Sequence, residues 1–320
     1  MKDKIKKQKS EEKMLAKKLN YGDTIGVVGV SNSLKLNNRY EDFKKAEDFL
    51  LSKGFKIKKG KYIEEDYYGS AGTNKQKAED LMEMFKDDEV KAIICLEGGQ
   101  TCNTFIDLLD YEEIKKHPKI ITGYSDITVL LQAIHKKTGL VTFHGESFIH
   151  FGENDAEEKY KEFEQTFINK KIGKFETGIK KVIRSGNVDG ELVGTNLGCM
   201  MYLIGTEYFP DMQDKIWLIE SYETSPNECQ RRFAQLKQIG VFDKVKGIII
   251  GYNYDLQKDG EVYPQMEDIL LEYTKEYNFP IIKCNDFGHK IVNGVIPIGV
   301  NAKIDTDNCK IKIEDSFLEN

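Results

Sequence analysis

KIITGYSDITVLLQAIHKKT, residues 119–138, changes its hydrophobic period at its centre. Ile120-Ile121-Thr122 is a short β-branched run, the composition of a strand. From Asp126 to His135 the apolar residues follow the pattern of a buried or amphipathic helix. Gly123-Tyr124-Ser125 forms the turn between them. A serine on a sharp strand-to-helix turn has its hydroxyl held clear of the backbone at the carboxyl edge of a sheet. The free N–H groups of the following helix converge on the same spot. A nucleophile whose attack creates an oxyanion needs that geometry. The same serine suits an ordinary helix N-cap, accepting a bond from an N–H one turn on. The Gly-x-Ser-x-Gly elbow is also incomplete, because Ile127 stands at the second glycine. Both readings stay open on this stretch alone.

Working outward, strand and helix patterns alternate through the first 145 residues. Thr24 to Val30 is a continuous apolar run and reads as a central parallel strand. A helix is expected over residues 37–53, a short strand at 55–59, a helix over 74–86 and a buried strand at Val90–Leu96. A further helix from about Thr101 to Leu109 precedes the quoted stretch, and a strand at 140–143 follows it. Short turns between these elements predict an α/β doubly wound parallel sheet. Residues 150–189 are charged and poorly periodic, and read as a helix-containing linker. From 190 to 320 the pattern predicts a smaller mixed α/β domain, closed by a hairpin around residues 305–308.

Residues 1–20 are charged, with neither an apolar core nor a cleavage site, and read as an extension outside the fold rather than a secretory signal. No window reaches the run of about 18 apolar residues that a membrane span requires. A cytoplasmic protein with no membrane contact is therefore expected. Net charge is −6 and the 47 Lys and Arg are dispersed, which argues against a nucleic-acid surface. The six cysteines form no C-x-x-C pair and read as reduced, mostly buried thiols. No spacing indicates zinc, and there is no Walker loop.

Ligands of such sheets bind beyond the carboxyl ends of strands. Two strand ends qualify, Gly98-Gly99 and Gly123-Tyr124-Ser125. The glycine pair lets a backbone N–H approach a ligand closely, or serves only a tight turn. A serine nucleophile needs a base and the base an orienting acid. Among five histidines, His289 and His144 each follow a strand; His117 and His135 read as solvated, and His150 borders the linker. Glu220 ends the apolar strand Trp217-Leu218-Ile219, where a carboxylate is costly without a partner. The order Ser125, Glu220, His289 is that of hydrolase triads on α/β sheets.

These residues resemble the LD-carboxypeptidase family, which includes muramoyl-tetrapeptide carboxypeptidases and microcin C self-immunity peptidases. The resemblance rests on Gly22 to Gly26, the glycine pair before Asp110-Tyr111, Pro118 to Thr128, Gly194-Thr195-Asn196-Leu197, the strand ending at Glu220, and Phe287-Gly288-His289. It runs from about Tyr21 to the C-terminus. It implies a flavodoxin-like N-terminal domain (21–149) joined to the C-terminal domain that carries the acid and the histidine, with the site between them. It implies a serine peptidase with Ser125, Glu220 and His289 as its triad and the backbone N–H groups of Gly99 and Asp126 as its oxyanion hole. Gly98 and Asn196 are expected against substrate. The resemblance further implies no metal or organic cofactor, a small peptide or peptidyl-nucleotide substrate, and a homodimer. Gly98 to Asn103 and Val241 to Val245 resemble the immunity branch, whereas Phe287-Gly288-His289 is closer to the cell-wall recycling branch. Phe163, Phe167 and Phe175 are candidates for an aromatic residue against a nucleobase. Arg39, Arg231, Arg232 and Lys290 are candidates for the cation that meets a terminal carboxylate. The competing reading is a non-catalytic nucleotide- or metabolite-binding module on the same sheet.

Overall fold

Alternating apolar runs and amphipathic stretches build two sheets in a computed structural model that describes residues 13–176, 179–260 and 263–320. In chain order the first half contains β1 (Thr24–Val28), α1 (Tyr40–Ser52), β2 (Lys56–Lys59), α2 (Asn74–Lys86), β3 (Val90–Cys95), α3 (Tyr111–Lys116), β4 (Ile120–Gly123), α4 (Thr128–Thr138), β5 (Thr142–His144) and α5 (Ala156–Phe167). The second half contains β6 (Lys181–Arg184), β7 (Asn187–Val193), α6 (Leu197–Met201), β8 (Lys215–Ile219), α7 (Pro226–Gln238), β9 (Gly247–Tyr252), α8 (Tyr254–Gln257), α9 (Met266–Tyr273), β10 (Ile281–Gly288), β11 (Ile296–Ile298), β12 (Asn301–Asp305) and β13 (Lys310–Ile313).

The first sheet has the order β11-β5-β4-β3-β1-β2, and β2-β1-β3-β4-β5 is the parallel flavodoxin-like order. The strand order reverses between β1 and β3, so the segments after those strands and after β4 open onto one crevice. Ile25, Val27, Val28, Ile93, Ile94 and Ile121 are fully buried, because helices cover both faces. The second sheet runs β13-β12-β7-β8-β9-β10-β6, parallel from β7 through β10 and antiparallel at its edges. β12 and β13 form the expected hairpin. β11 pairs antiparallel with β5, so the end of the chain closes the edge of the first sheet and ties the halves together.

Four sequence expectations are corrected. The segment Thr101 to Leu109 is not one helix but two 3-10 turns, Cys102–Thr104 and Ile106–Leu108. The N-terminal extension is not wholly outside the fold. Ala16 and Leu19 are buried, Met14 exchanges backbone bonds with Gly139 and Val141, and Leu19 N–H donates to Phe167 O at 2.8 Å. Two apolar side chains in a lysine-rich stretch suffice to hold it once a backbone edge receives them; residues 1–12 lie outside the described residues. Within the charged 150–189 stretch, Tyr160, Phe163 and Phe167 line one face of α5, are buried and meet Phe143 and Phe151. The acids and lysines of α5 mask that stripe in a composition count.

A half-buried charge cluster also links the halves. Glu191 on β7 accepts from Lys215 Nζ at 2.7 Å and lies 3.4 Å from His135 Nε2. His135 is thus largely enclosed rather than solvated, its Nδ1 lying 3.0 Å from Leu140 O. Burial would raise the Glu191 carboxyl, but His135 and Lys215 outweigh it and hold it at about 2. A folded-state value below the unfolded one contributes stability that is complete above about pH 4.3 and is lost as pH falls towards the folded value. Glu191→Gln is expected to flatten the acid limb of stability between about pH 4.5 and 2. Denaturant midpoints measured across that range check this; an unchanged limb refutes it.

Candidate active site

Ser125 follows β4, with Tyr124 extended and Ser125 at φ +64° before the 3-10 turn Ser125–Ile127 leads into α4. A non-glycine residue in the left-handed region is strained by about 1–3 kcal/mol, and such strain concentrates at functional turns. The serine is not a helix cap: neither the turn nor α4 has a side-chain cap. The elbow closes without a second glycine because Ile127 packs over Gly123, where an added Cβ would stand 2.6 Å from Ile127 Cδ1.

The Gly98-Gly99 turn beyond β3 abuts the serine. A Cβ on Gly98 would stand 2.9 Å from Ser125 Cβ, and one on Gly99 would stand 2.3 Å from Asn32 Oδ1. Neither the Gly99 nor the Asp126 N–H takes part in the loop and turn hydrogen bonds of the described residues. The Asp126 carboxylate is turned inward, where its Oδ2 accepts from Ser31 Oγ at 2.6 Å and Cys102 N at 2.8 Å.

Glu220 and His289 come from the ends of different strands of the second sheet. Glu220 follows β8 and is 0% exposed, and its Oε2 accepts from His289 Nδ1 at 2.8 Å. Its Oε1 accepts from Asn196 Nδ2 at 2.8 Å. Burial pushes this carboxyl up, but the imidazole of His289, the nearby His144 and the Asn196 amide together outweigh burial and hold it below the ordinary range. With Nδ1–H committed to Glu220, His289 Nε2 is left as an acceptor, and it is buried with no hydrogen-bond partner among the described residues. No hydrogen bond joins it to Ser125 here; such pairs are often long without substrate and tighten with it. The Tyr222 ring stacks on the imidazole at 4.6 Å and 6°, and the Tyr124 ring lies 5.0 Å away.

Gly98, Gly99, Ser125 and His289 line one cavity of about 480 Å³, together with Tyr68, Glu97, Tyr124, His150, Tyr222 and Lys290 among others. That volume fits a small ligand. On its walls, Glu97 pairs with Arg39 at 2.5 Å, and His150 Nδ1 lies 3.2 Å from Glu146 Oε2. No group of three or more His, Cys, Asp or Glu among the described residues is arranged to hold a metal.

Several expectations change. His144 is buried in the core with both ring nitrogens engaged, Nδ1 meeting Thr195 Oγ1 at 2.8 Å and Nε2 meeting Asn293 Oδ1 at 3.1 Å. Asn196, expected against substrate, faces Glu220 instead. Its amide holds Glu220 and caps α6 through Cys199 N, and it is absent from the cavity wall. Phe163, Phe167 and Phe175 are buried in the core and cannot meet a nucleobase. Of the four candidate cations only Lys290 lines the cavity; Arg232 is tied to Ser221 and Thr224, and Arg231 points to solvent. Tyr222 is not among the sequence candidates: it lies in a bend beyond the end of β8, where strand alternation gives no signal.

Comparison with known proteins follows the same outline. The family model described as the LD-carboxypeptidase N-terminal domain matches residues 25–145, and the corresponding C-terminal domain matches residues 189–304. A probable murein peptide carboxypeptidase of Bacillus subtilis is 33% identical over 311 residues, covering 95% of each chain. The microcin C7 self-immunity protein MccF of Escherichia coli is 31% identical, covering 95% of this chain and 97% of its own. A solved structure of MccF in complex with aspartyl sulfamoyl adenosine superposes with a TM-score of 0.85 at 30% identity, over 96% of this chain and 100% of that one.

Proposed function

Because the chain belongs to the LD-carboxypeptidase family and is a serine-type carboxypeptidase, we propose that it hydrolyses its substrate amide through Ser125, His289 and Glu220. The observation that carries this reading is the buried His289–Glu220 pair, with Nε2 unpartnered and His289 lining the same cavity as a strained serine. His289 Nε2 takes the proton of the Ser125 hydroxyl as its oxygen attacks the amide carbonyl carbon. Glu220 holds the tautomer and stabilises the imidazolium that forms. The N–H groups of Gly99 and Asp126 receive the oxyanion, each worth about 3 kcal/mol of barrier. Collapse expels the amine with the proton from His289, and water then hydrolyses the acyl-enzyme by the same path in reverse.

The substrate proposed is a small peptidic amide, either an aminoacyl-sulfamoyl nucleotide or an L,D-linked muropeptide. The first is supported by the MccF complexes with aspartyl sulfamoyl adenosine and glutamyl sulfamoyl guanosine. The second is supported by the murein peptide carboxypeptidase relative. In this chain Tyr68 and Tyr222 provide aromatic faces for a base, and Lys290 a cation for a carboxylate. A serine-directed fluorophosphonate is expected to label the wild type and not Ser125→Ala. Cleavage of aspartyl sulfamoyl adenosine, measured beside D-alanine release from an L,D-linked tetrapeptide, identifies the substrate. Labelling that survives Ser125→Ala removes the assignment of the nucleophile.

A further inference from the structure

We propose that Lys77 is a positioning residue for this reaction: its buried ammonium locks the loop 98–101 against the Ser125 turn, so that both oxyanion donors are set by one network. The inference rests on the oxyanion assignment to Gly99 and Asp126 made above.

Lys77 lies on α2 and is only 1% exposed. Its Nζ reaches Ser70 Oγ at 3.1 Å, Thr101 O at 3.2 Å, Thr101 Oγ1 at 3.2 Å and Thr104 Oγ1 at 3.1 Å. It also sits 5.3 Å from the centre of the Phe105 ring. The hydrogen-bond partners are all neutral oxygens, an unusual setting for a buried charge, because taking an ammonium out of water costs several kcal/mol even after relaxation. Burial accordingly pushes the ammonium below its usual value, against the pull of Cys102 and Asp126. Such a charge is tolerated where a full set of acceptors and a counter-charge compensate it.

The counter-charge is Asp126, one hydroxyl further on. Thr101 N–H donates to Ser31 Oγ at 3.1 Å, and Ser31 O–H donates to Asp126 Oδ2 at 2.6 Å. Ser70 O–H donates to Ser31 O at 3.1 Å, and Asn32 N–H donates to Gly98 O at 3.1 Å. Both ends of the glycine loop are thus tied to the segment after β1. That segment is tied to the side chain of Asp126, whose own backbone N–H is the second donor. Lys77 is the cation at one end of this chain of bonds and Asp126 the anion at the other. Neither charge faces the cavity, whose wall includes Thr101 but not Lys77. Its effect on catalysis is therefore through the loop. Removing it leaves Asp126 buried with its bonds from Ser31 and Cys102 but without its counter-charge, and frees Thr101 to turn. The N–H of Gly99 then moves relative to that of Asp126, and a misplacement of about 1 Å at a reacting centre costs about 100-fold in rate.

The test compares Lys77→Met, and separately Thr104→Val, with the wild type. Lys77→Met is expected to lower kcat by about 100-fold with KM changed less than about twofold. Affinity for a peptide boronate, which forms a tetrahedral anion on the serine, should fall in step with kcat, while affinity for the carboxylate product is retained. Thr104→Val removes one acceptor of Nζ and should shift kcat and boronate affinity in the same direction by a smaller factor. It therefore supports or overturns the proposal even if Lys77→Met fails to fold. Wild-type kcat in both variants, or a lowered kcat with undiminished boronate affinity, overturns the positioning role. A wild type that neither turns over nor binds the boronate overturns the Ser125 assignment itself, and the positioning role with it.

Discussion

Ser125→Ala is expected to lower kcat by about 10⁴- to 10⁶-fold, with product affinity retained, and Ser125→Gly to do the same while folding more stably than the alanine variant. The first part follows from the loss of the nucleophile, for which a triad retains only the contribution of its binding groups and oxyanion donors. The second follows from the backbone. Ser125 sits at φ +64°, and alanine keeps the left-handed strain that glycine does not feel. The glycine variant should therefore exceed the alanine variant by about 1 kcal/mol in unfolding free energy, the strain outweighing the greater freedom of glycine in the unfolded chain. Denaturant unfolding of both variants, beside single-turnover rates, measures the two effects together. If alanine and glycine are equally stable, the strained-elbow argument fails; if either variant retains wild-type turnover, the nucleophile lies elsewhere.

The second large effect concerns Glu220. Glu220→Gln should lower kcat by about 10⁴-fold while leaving the fold intact, because the carboxamide has the shape of the carboxylate but only one acceptor oxygen. In the wild type both oxygens accept, one from Asn196 Nδ2 and one from His289 Nδ1, each at 2.8 Å. If the new carbonyl faces Asn196, the NH₂ faces His289 and forces the imidazole into the tautomer with Nε2 protonated. That tautomer cannot take a proton from the serine. If the carbonyl faces His289, two NH₂ groups meet in a fully buried space, which costs about 1–3 kcal/mol. That cost disfavours the second orientation, so the first, in which the base has lost its acceptor at Nδ1, is expected to prevail. Steady-state kinetics with near-ultraviolet circular dichroism check this, and nitrogen chemical shifts of His289 report the tautomer. A kcat within tenfold of the wild type would count decisively against a role for Glu220.

Much of the fold is legible from neighbours in the chain. Val90 to Cys95 is a strand buried on both faces, and its apolar run is uninterrupted but for Lys91. Helix α2 occupies 74–86, matching its periodicity, and opens with a capping box between Thr73 and Gln76. The segment after Gly99 misled for the same local reason. Phe105, Ile106 and Leu109 are buried as a helix would bury them, but two short 3-10 turns bury them instead.

By itself the sequence determined where strands and helices alternate, hence a parallel sheet whose loops open at one edge, and it put a serine on one of those loops. These depend on hydrophobic periods and turn residues a few positions apart, which any segment carries with it. Only the tertiary structure decided that His289, rather than His144, reaches a buried carboxylate. Only the tertiary structure turned Asn196 towards Glu220 instead of the cavity and enclosed Phe163, Phe167 and Phe175. A buried polar group must find its partner among whatever the strand order brings beside it. His289 and Glu220 end strands separated in the sheet by β9, 69 residues apart in sequence, and no pattern within either strand encodes their meeting.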